Sequence, residues 1–172
     1  MVLFWSFIVY SFIGFLLEVI YALLSGGQRD RKCFLVLPLC PVYGLGACAI
    51  LSLPDGIIQS PLLLFLFGGL TATGAEYLTA VLYEKAFGIS FWDYRGLPGN
   101  LHGRVCLPFS LIWGALSLPL VYWLHPILLP FFSLIPAPVT WMVSATLLAD
   151  GVVSSLLLKQ TGSRNCLRWY AT

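Results

Sequence analysis

The chain has 172 residues, 59% of them hydrophobic and only 9% charged, with a formal net charge of +2. A soluble domain is about a quarter charged, so charge this sparse excludes a water-solvated globule and makes the bilayer the solvent for most of the chain. The small positive balance gives no motive for a nucleic-acid partner.

A helix of roughly 20 apolar residues crosses a bilayer, and five such spans are predicted in chain order. The first covers about residues 2–24. No basic stretch precedes it and no small-residue cleavage site follows it, so it is expected to persist as a span, not a signal peptide. The second, about 34–53, is irregular, because Pro38 and Pro41 bracket Cys40, and Gly44 and Gly46 follow. Proline removes a backbone donor and clashes with the preceding turn. In lipid the freed carbonyls need partners from protein or water, so this helix is expected to be broken near its start. A turn at Leu53–Pro61 leads to the third span, about 62–83. The fourth covers about 105–124, a turn is expected at His125–Pro138, and the fifth covers about 139–158. His125 is taken as an interfacial residue at the outer end of the fourth span. The predicted fold is therefore an all-α polytopic bundle, one integral membrane domain over residues 1–172.

The nine Lys and Arg residues fall in three groups. Arg29, Arg31 and Lys32 lie in the loop 25–33, Lys85, Arg95 and Arg104 in the loop 84–104, and Lys159, Arg164 and Arg168 in the tail 159–172. Basic loops stay on the cytoplasmic side. This grouping predicts an inner (cytoplasmic) membrane protein with its N-terminus outside and its C-terminus cytoplasmic. The five cysteines match no zinc spacing and are read as small apolar fillers. Cys33, Cys106 and Cys166, at the cytoplasmic face, are expected to be reduced. No cofactor is expected.

Three carboxylates lie within spans: Glu18, Glu76 and Asp150. An ionisable group at mid-helix costs on the order of 3 kcal/mol in lipid, so each is expected to face the bundle interior. All three lie at similar depth in the cytoplasmic half and could converge in one polar layer. Ser11, Gly14, Glu18 and Tyr21 share one helical face, as do Gly69, Thr73, Glu76 and Ala80, with Tyr77 and Glu84 on an adjacent stripe. Arg104, entering the fourth span, is expected to pair with one of the three acids. Three acids against one arginine suggest a protonated acid, a bound cation or a cationic substrate group. Hard oxygen ligands would suit Mg²⁺ or Ca²⁺, but no metal motif supports this and no metal site is assigned.

Several segments resemble a known family. These are Tyr10-Ser11-Phe12-Ile13-Gly14-Phe15 with Glu18, Cys40-Pro41-Val42-Tyr43-Gly44-Leu45-Gly46, Glu76-Tyr77, Trp92-Asp93-Tyr94, and Asn100-Leu101-His102-Gly103-Arg104-Val105-Cys106. Together they resemble the bacterial multi-pass membrane proteins of the family named Putative ABC-transporter type IV, over about residues 4–126. The resemblance leads one to expect Asn at the place of His102 and Trp at the place of Phe15. It implies a membrane subunit of an importer or exporter, and it adds Trp92, Asp93, Tyr94 and Asn100 to the candidate substrate-binding residues Glu18, Glu76, Arg104 and Asp150.

The chain has no G-x-x-x-x-G-K-[ST] phosphate loop, so a transport role requires a separate ATPase, for which the loop 84–104 is the plausible dock. The leading expectation is a transport component with a carboxylate-lined pocket open to the cytoplasmic side. An intramembrane enzyme acting on a lipid or lipid-linked group is an alternative, with Asp93, Glu18 or Glu76 as acid or base and Arg104 with Asn100 holding an oxygen. Whether the chain is an enzyme stays open, since it shows neither a nucleophile elbow nor H-E-x-x-H. A scaffold subunit is a third reading. Five helices make a small body for a gated path, which leaves room for a homo-oligomer.

Overall fold

The computed structural model describes residues 1–24 and 33–167. Arg29, Arg31, Lys32 and Arg168, with most of the first predicted cytoplasmic loop and the end of the tail, lie outside the described residues. The elements are α1 (Val2–Leu24), α2 (Pro41–Leu51), the single turn α3 (Asp55–Ile58), α4 (Pro61–Phe87), α5 (Leu107–Pro119), a π-helical turn (Leu120–Leu124), α6 (His125–Leu134) and α7 (Ala137–Thr161). The predicted all-α bundle is what forms.

Four helices are long and apolar enough to cross a membrane: α1, α4, the continuous rod Leu107–Leu134, and α7. The second predicted span differs. Only its 11 residues Pro41–Leu51 are helical, about 16 Å of rise. Pro41 sits at N1, where a missing N–H costs nothing, and Pro38 keeps the residues before it out of the helix. Residues 33–40 instead form a non-helical strap. Strap and helix together run antiparallel to α1: the Cys40 N–H donates to Ser11 O at 2.9 Å, and Cys48 Sγ reaches Leu3 O at the far end. The expected break near the start thus takes up about half the passage. It also pairs Cys33 with Cys40 as a disulfide with Cα atoms 4.9 Å apart. That departs from the expectation of reduced fillers, and the bends of the strap explain it by folding the segment back on itself.

The turn expected at His125–Pro138 is also different. Helix continues to Leu134, and only Ile135 and Pro136 separate it from α7. Pro119 and Pro126 each remove an intrahelical donor, and the wide π turn between them absorbs the misfit. Pro126 then falls in the first turn of α6, where proline is tolerated.

Small residues set the packing of the first four helices. A Cβ on Gly69 would lie 2.9 Å from Ser110 O, and one on Gly114 would lie 2.6 Å from Phe65 O, so α4 and α5 touch backbone to backbone. Gly14 seats the ring of Tyr43, and Gly44 seats Ser11, which joins α1 to α2. Close approach of this kind replaces the hydrophobic drive that lipid cannot supply. All the described Lys and Arg residues (Lys85, Arg95, Arg104, Lys159, Arg164) gather at one end, where Leu158 and Leu167 pack with Phe91 and Trp92.

Candidate functional site

The packing order α1–α2–α4–α5 leaves α1 and α5 as the two sides of a cleft, with α2 and α4 behind it. The cleft holds a cavity of about 270 Å³. Helical spacing explains its lining. Tyr10, Ile13, Gly14 and Leu17 form one stripe of α1, and Tyr43, Gly46, Ala47 and Ile50 form the matching stripe of α2, each at steps i, i+3, i+4 and i+7. Ala72 and Glu76 come from α4, Trp113, Leu116 and Ser117 from α5, and Leu120 and Leu124 from the π turn.

Glu76 is 5% exposed. Its Oε1 accepts from the Tyr94 hydroxyl and its Oε2 from Trp113 Nε1–H, both at 2.9 Å. Hydrogen bonds to a charged group contribute about 1.5–3 kcal/mol each, enough to offset the mid-helix cost of a carboxylate. Glu18 accepts from the Tyr43 hydroxyl at 2.6 Å, and the Tyr43 ring meets Trp113 edge-on with centroids 5.2 Å apart. Glu18, Tyr43, Trp113, Glu76 and Tyr94 therefore form one connected set. Burial, with Glu76 next to it, pushes the Tyr94 hydroxyl well above the ordinary tyrosine value, so it remains a donor.

The rest of the predicted layer is dispersed. Asp150 holds the strap, both its oxygens lying 3.3 Å from Leu37 N, while Ser154 Oγ takes Val36 N–H at 3.1 Å. Among the described residues no group of three or more His, Cys, Asp or Glu side chains is close enough to hold a metal. Arg104 does not pair with any of the three acids. Its guanidinium donates to Glu84 Oε2 at 2.6 and 2.9 Å and to the Tyr77 hydroxyl at 3.1 Å. The reason is position: Arg104 precedes α5 at the end of the bundle, level with the last turn of α4, and the Tyr77–Glu84 stripe is what it meets.

Residues 88–106 form a cap braced by their own contacts. Trp92 is buried and donates Nε1–H to Arg104 O at 2.7 Å. Asp93 pairs with Arg95 at 2.6 Å in the open, and that neighbour holds the Asp93 carboxyl below its ordinary range. Asn100 donates to Arg95 O and Leu97 O and accepts from Gly103 N–H, which ties the loop shut. His102 adopts φ 55 and Gly103 φ 72. This left-handed region is one that His and Asn tolerate better than most side chains, so His102 can stand where the resemblance leads one to expect Asn. Tyr94, stacked on Phe109 at 4.9 Å, reaches from the cap to Glu76.

Three participants were not among the candidate site residues. Tyr43 was legible as the first position of the α2 stripe. Tyr10 and His125 were not: Tyr10 Oη and His125 Nδ1 share a 2.9 Å hydrogen bond between α1 and α6, which depends on the helix continuing past residue 124.

No curated protein and no solved structure matches the chain. The model of the family described as Putative ABC-transporter type IV matches residues 5–155, which takes in all four cavity-lining helices and the whole cap. By that match the chain belongs to the Putative ABC-transporter type IV family, and it is a membrane protein.

Proposed function

We propose that the chain is a membrane-embedded subunit of a transport system, that a separate ATPase docks on the cap formed by residues 88–106, and that the cleft before Glu76 receives the substrate. The observation that carries this reading is a buried carboxylate, held by two aromatic donors, beside a cavity lined by four helices. A carboxylate kept for packing alone gains nothing from such a space, whereas a ligand site needs both. Glu76, Trp113 and Tyr43 are the proposed contacts, with Glu18 acting through Tyr43. Trp92, Asp93, Asn100 and Arg104 shape the cap, and Asp150 positions the strap behind the site. The proposed orientation has the cap and C-terminus in the cytoplasm, supported by the gathering of the described basic residues at that end. The enzyme reading has less support, since Asp93, Asn100 and Arg104 are each engaged by neighbours within or beside the loop.

Thermal unfolding of the purified protein against a panel of solutes, metal ions and lipids, for wild type and Glu76→Gln, tests the proposal. At least one ligand should raise the wild-type midpoint and leave that of the variant in place. A panel in which no ligand separates the two proteins would overturn the cleft as a substrate site and favour a scaffold.

A further inference from the structure

The polar side chains on the cavity wall are those of Tyr10, Tyr43, Glu76, Trp113 and Ser117. Each is engaged within the protein. Tyr10 Oη shares its hydrogen bond with His125 Nδ1, Tyr43 Oη donates to Glu18, and Trp113 Nε1 donates to Glu76. Glu76 also accepts from Tyr94. Ser117 Oγ lies 2.7 Å from Gly114 O and 3.1 Å from Leu64 O. The lining residues all lie in helices, which largely take up their backbone groups. Aliphatic side chains and glycine make up the rest of the wall, so what faces the space is almost wholly carbon.

The space is about 270 Å³, below the roughly 300–1,000 Å³ of common ligand pockets. Such pockets usually keep a few polar groups free to orient a ligand; here the side-chain donors are spent. Among the described residues no Lys or Arg lines the wall. A phosphate, carboxylate or carbonyl brought in would lose its water and find no free donor among these side chains. An apolar group loses nothing, and cavities walled by carbon stay dry and take up apolar molecules. Gly46 makes part of the room: a Cβ there would meet Ala72 at 3.8 Å, an ordinary contact, and nothing nearer.

We propose that the cavity takes a hydrocarbon chain, with no polar head seated at Glu76. The chain lies along the α1 and α2 stripes and against Ala72, and the Tyr43 and Trp113 rings meet it with carbon. This names the substrate class of the transport site proposed above and rests on that reading. A lipid tail and a free apolar solute of the bilayer present this same chemistry.

The test uses the full chain in micelles of a steroid-based detergent, which has no alkyl chain of its own to compete. The unfolding midpoint is read for wild type, Gly46→Leu and Gly46→Ala against decane, decanol, decylamine, decanoate, butylamine, butyrate and dioleoylphosphatidylcholine. Decane should stabilise the wild type saturably, at a mole fraction no higher than its three headed counterparts need, and the butyl compounds should do nothing. Gly46→Leu should fill the space, keep or raise its own midpoint and abolish the decane shift. Gly46→Ala, which adds one methyl group, should weaken that shift about threefold and stands in if the leucine variant does not fold. A phosphatidylcholine shift blocked by Gly46→Leu would assign the chain to a lipid tail, and a decane shift alone would assign it to a free solute; either result sustains the proposal. A decane shift unchanged in both variants would overturn it. Binding of a headed or butyl compound at least tenfold tighter than decane, and blocked by Gly46→Leu, would overturn the hydrocarbon class and leave the cavity as the substrate site. No saturable shift with any compound, together with a flat solute panel, would remove both.

Discussion

The quartet α1, α2, α4 and α5 and the last helix, α7, are attached to the molecule in opposite ways. The quartet is joined by surfaces: glycines at 14, 44, 69 and 114 let backbones meet over whole turns. α7 is joined at points. Only Ser154 and Leu158 of its 25 residues are buried, while Trp141, Met142 and Leu148 are each about 70% exposed or more. Its ties are few: Trp5 Nε1–H to Thr140 Oγ1 at 3.0 Å, the strap N–H groups to Ser154 and Asp150, and Leu158 packed on Phe91 and Trp92 at the cap end. In lipid, apolar surface alone does not drive helices together. A helix with so little close contact leans on polar groups, and a carboxylate in a span need not belong to a ligand site.

The contrast is sharpest at matched glycines. Gly114→Val should force α4 from α5 and lower stability by about 3 kcal/mol, read by unfolding in mixed micelles. Gly151→Val on α7, where a Cβ meets nothing within 4 Å, should change it by no more than about 0.5 kcal/mol. Similar losses at both positions would erase the distinction. Next comes the disulfide. Replacing Cys33 and Cys40 by Ser opens a short loop, a loss of about 2 kcal/mol. Hydrogen exchange should rise in the strap and α7 and stay unchanged in α4 and α5; exchange rising equally everywhere would mean that the strap does not specifically serve α7. Smallest is Asp150→Ala, expected to cost about 1–2 kcal/mol because Leu37 N–H loses its acceptor. Asp150→Asn retains an acceptor and should cost less, whereas equal losses would point to the charge in place of the hydrogen bond.

Much of the quartet could be read from the chain. The stripe Gly69, Thr73, Glu76 and Ala80 does face inward, with Thr73 Oγ1 donating to Ser110 Oγ at 2.9 Å. Pro38 and Pro41 did signal a broken second passage. Depth along a helix was a weaker guide than facing direction. Glu18, Glu76 and Asp150 lie at comparable depths, yet Asp150 turns toward the strap, and a helix with no steric stripe gives no phase from which to infer that. Arg104 was assigned to the wrong acid for a related reason: charge counting ranks acids by burial, while an arginine at a helix entrance reaches the acid at its own level. The stripe Tyr77 and Glu84 was visible, but its partner arrives through a folded loop whose path no periodicity describes.

The π turn at Leu120–Leu124 carries one residue more than an α turn would hold, and each residue of a helix corresponds to about 100° of rotation. The rod Leu107–Leu134 is therefore two surfaces out of phase: its first half answers to α4 through Gly114 and Ser117, and its second to α1 through His125. A one-residue insertion or deletion at this stretch acts as a rotation, re-aiming half a helix while the other half keeps its partner.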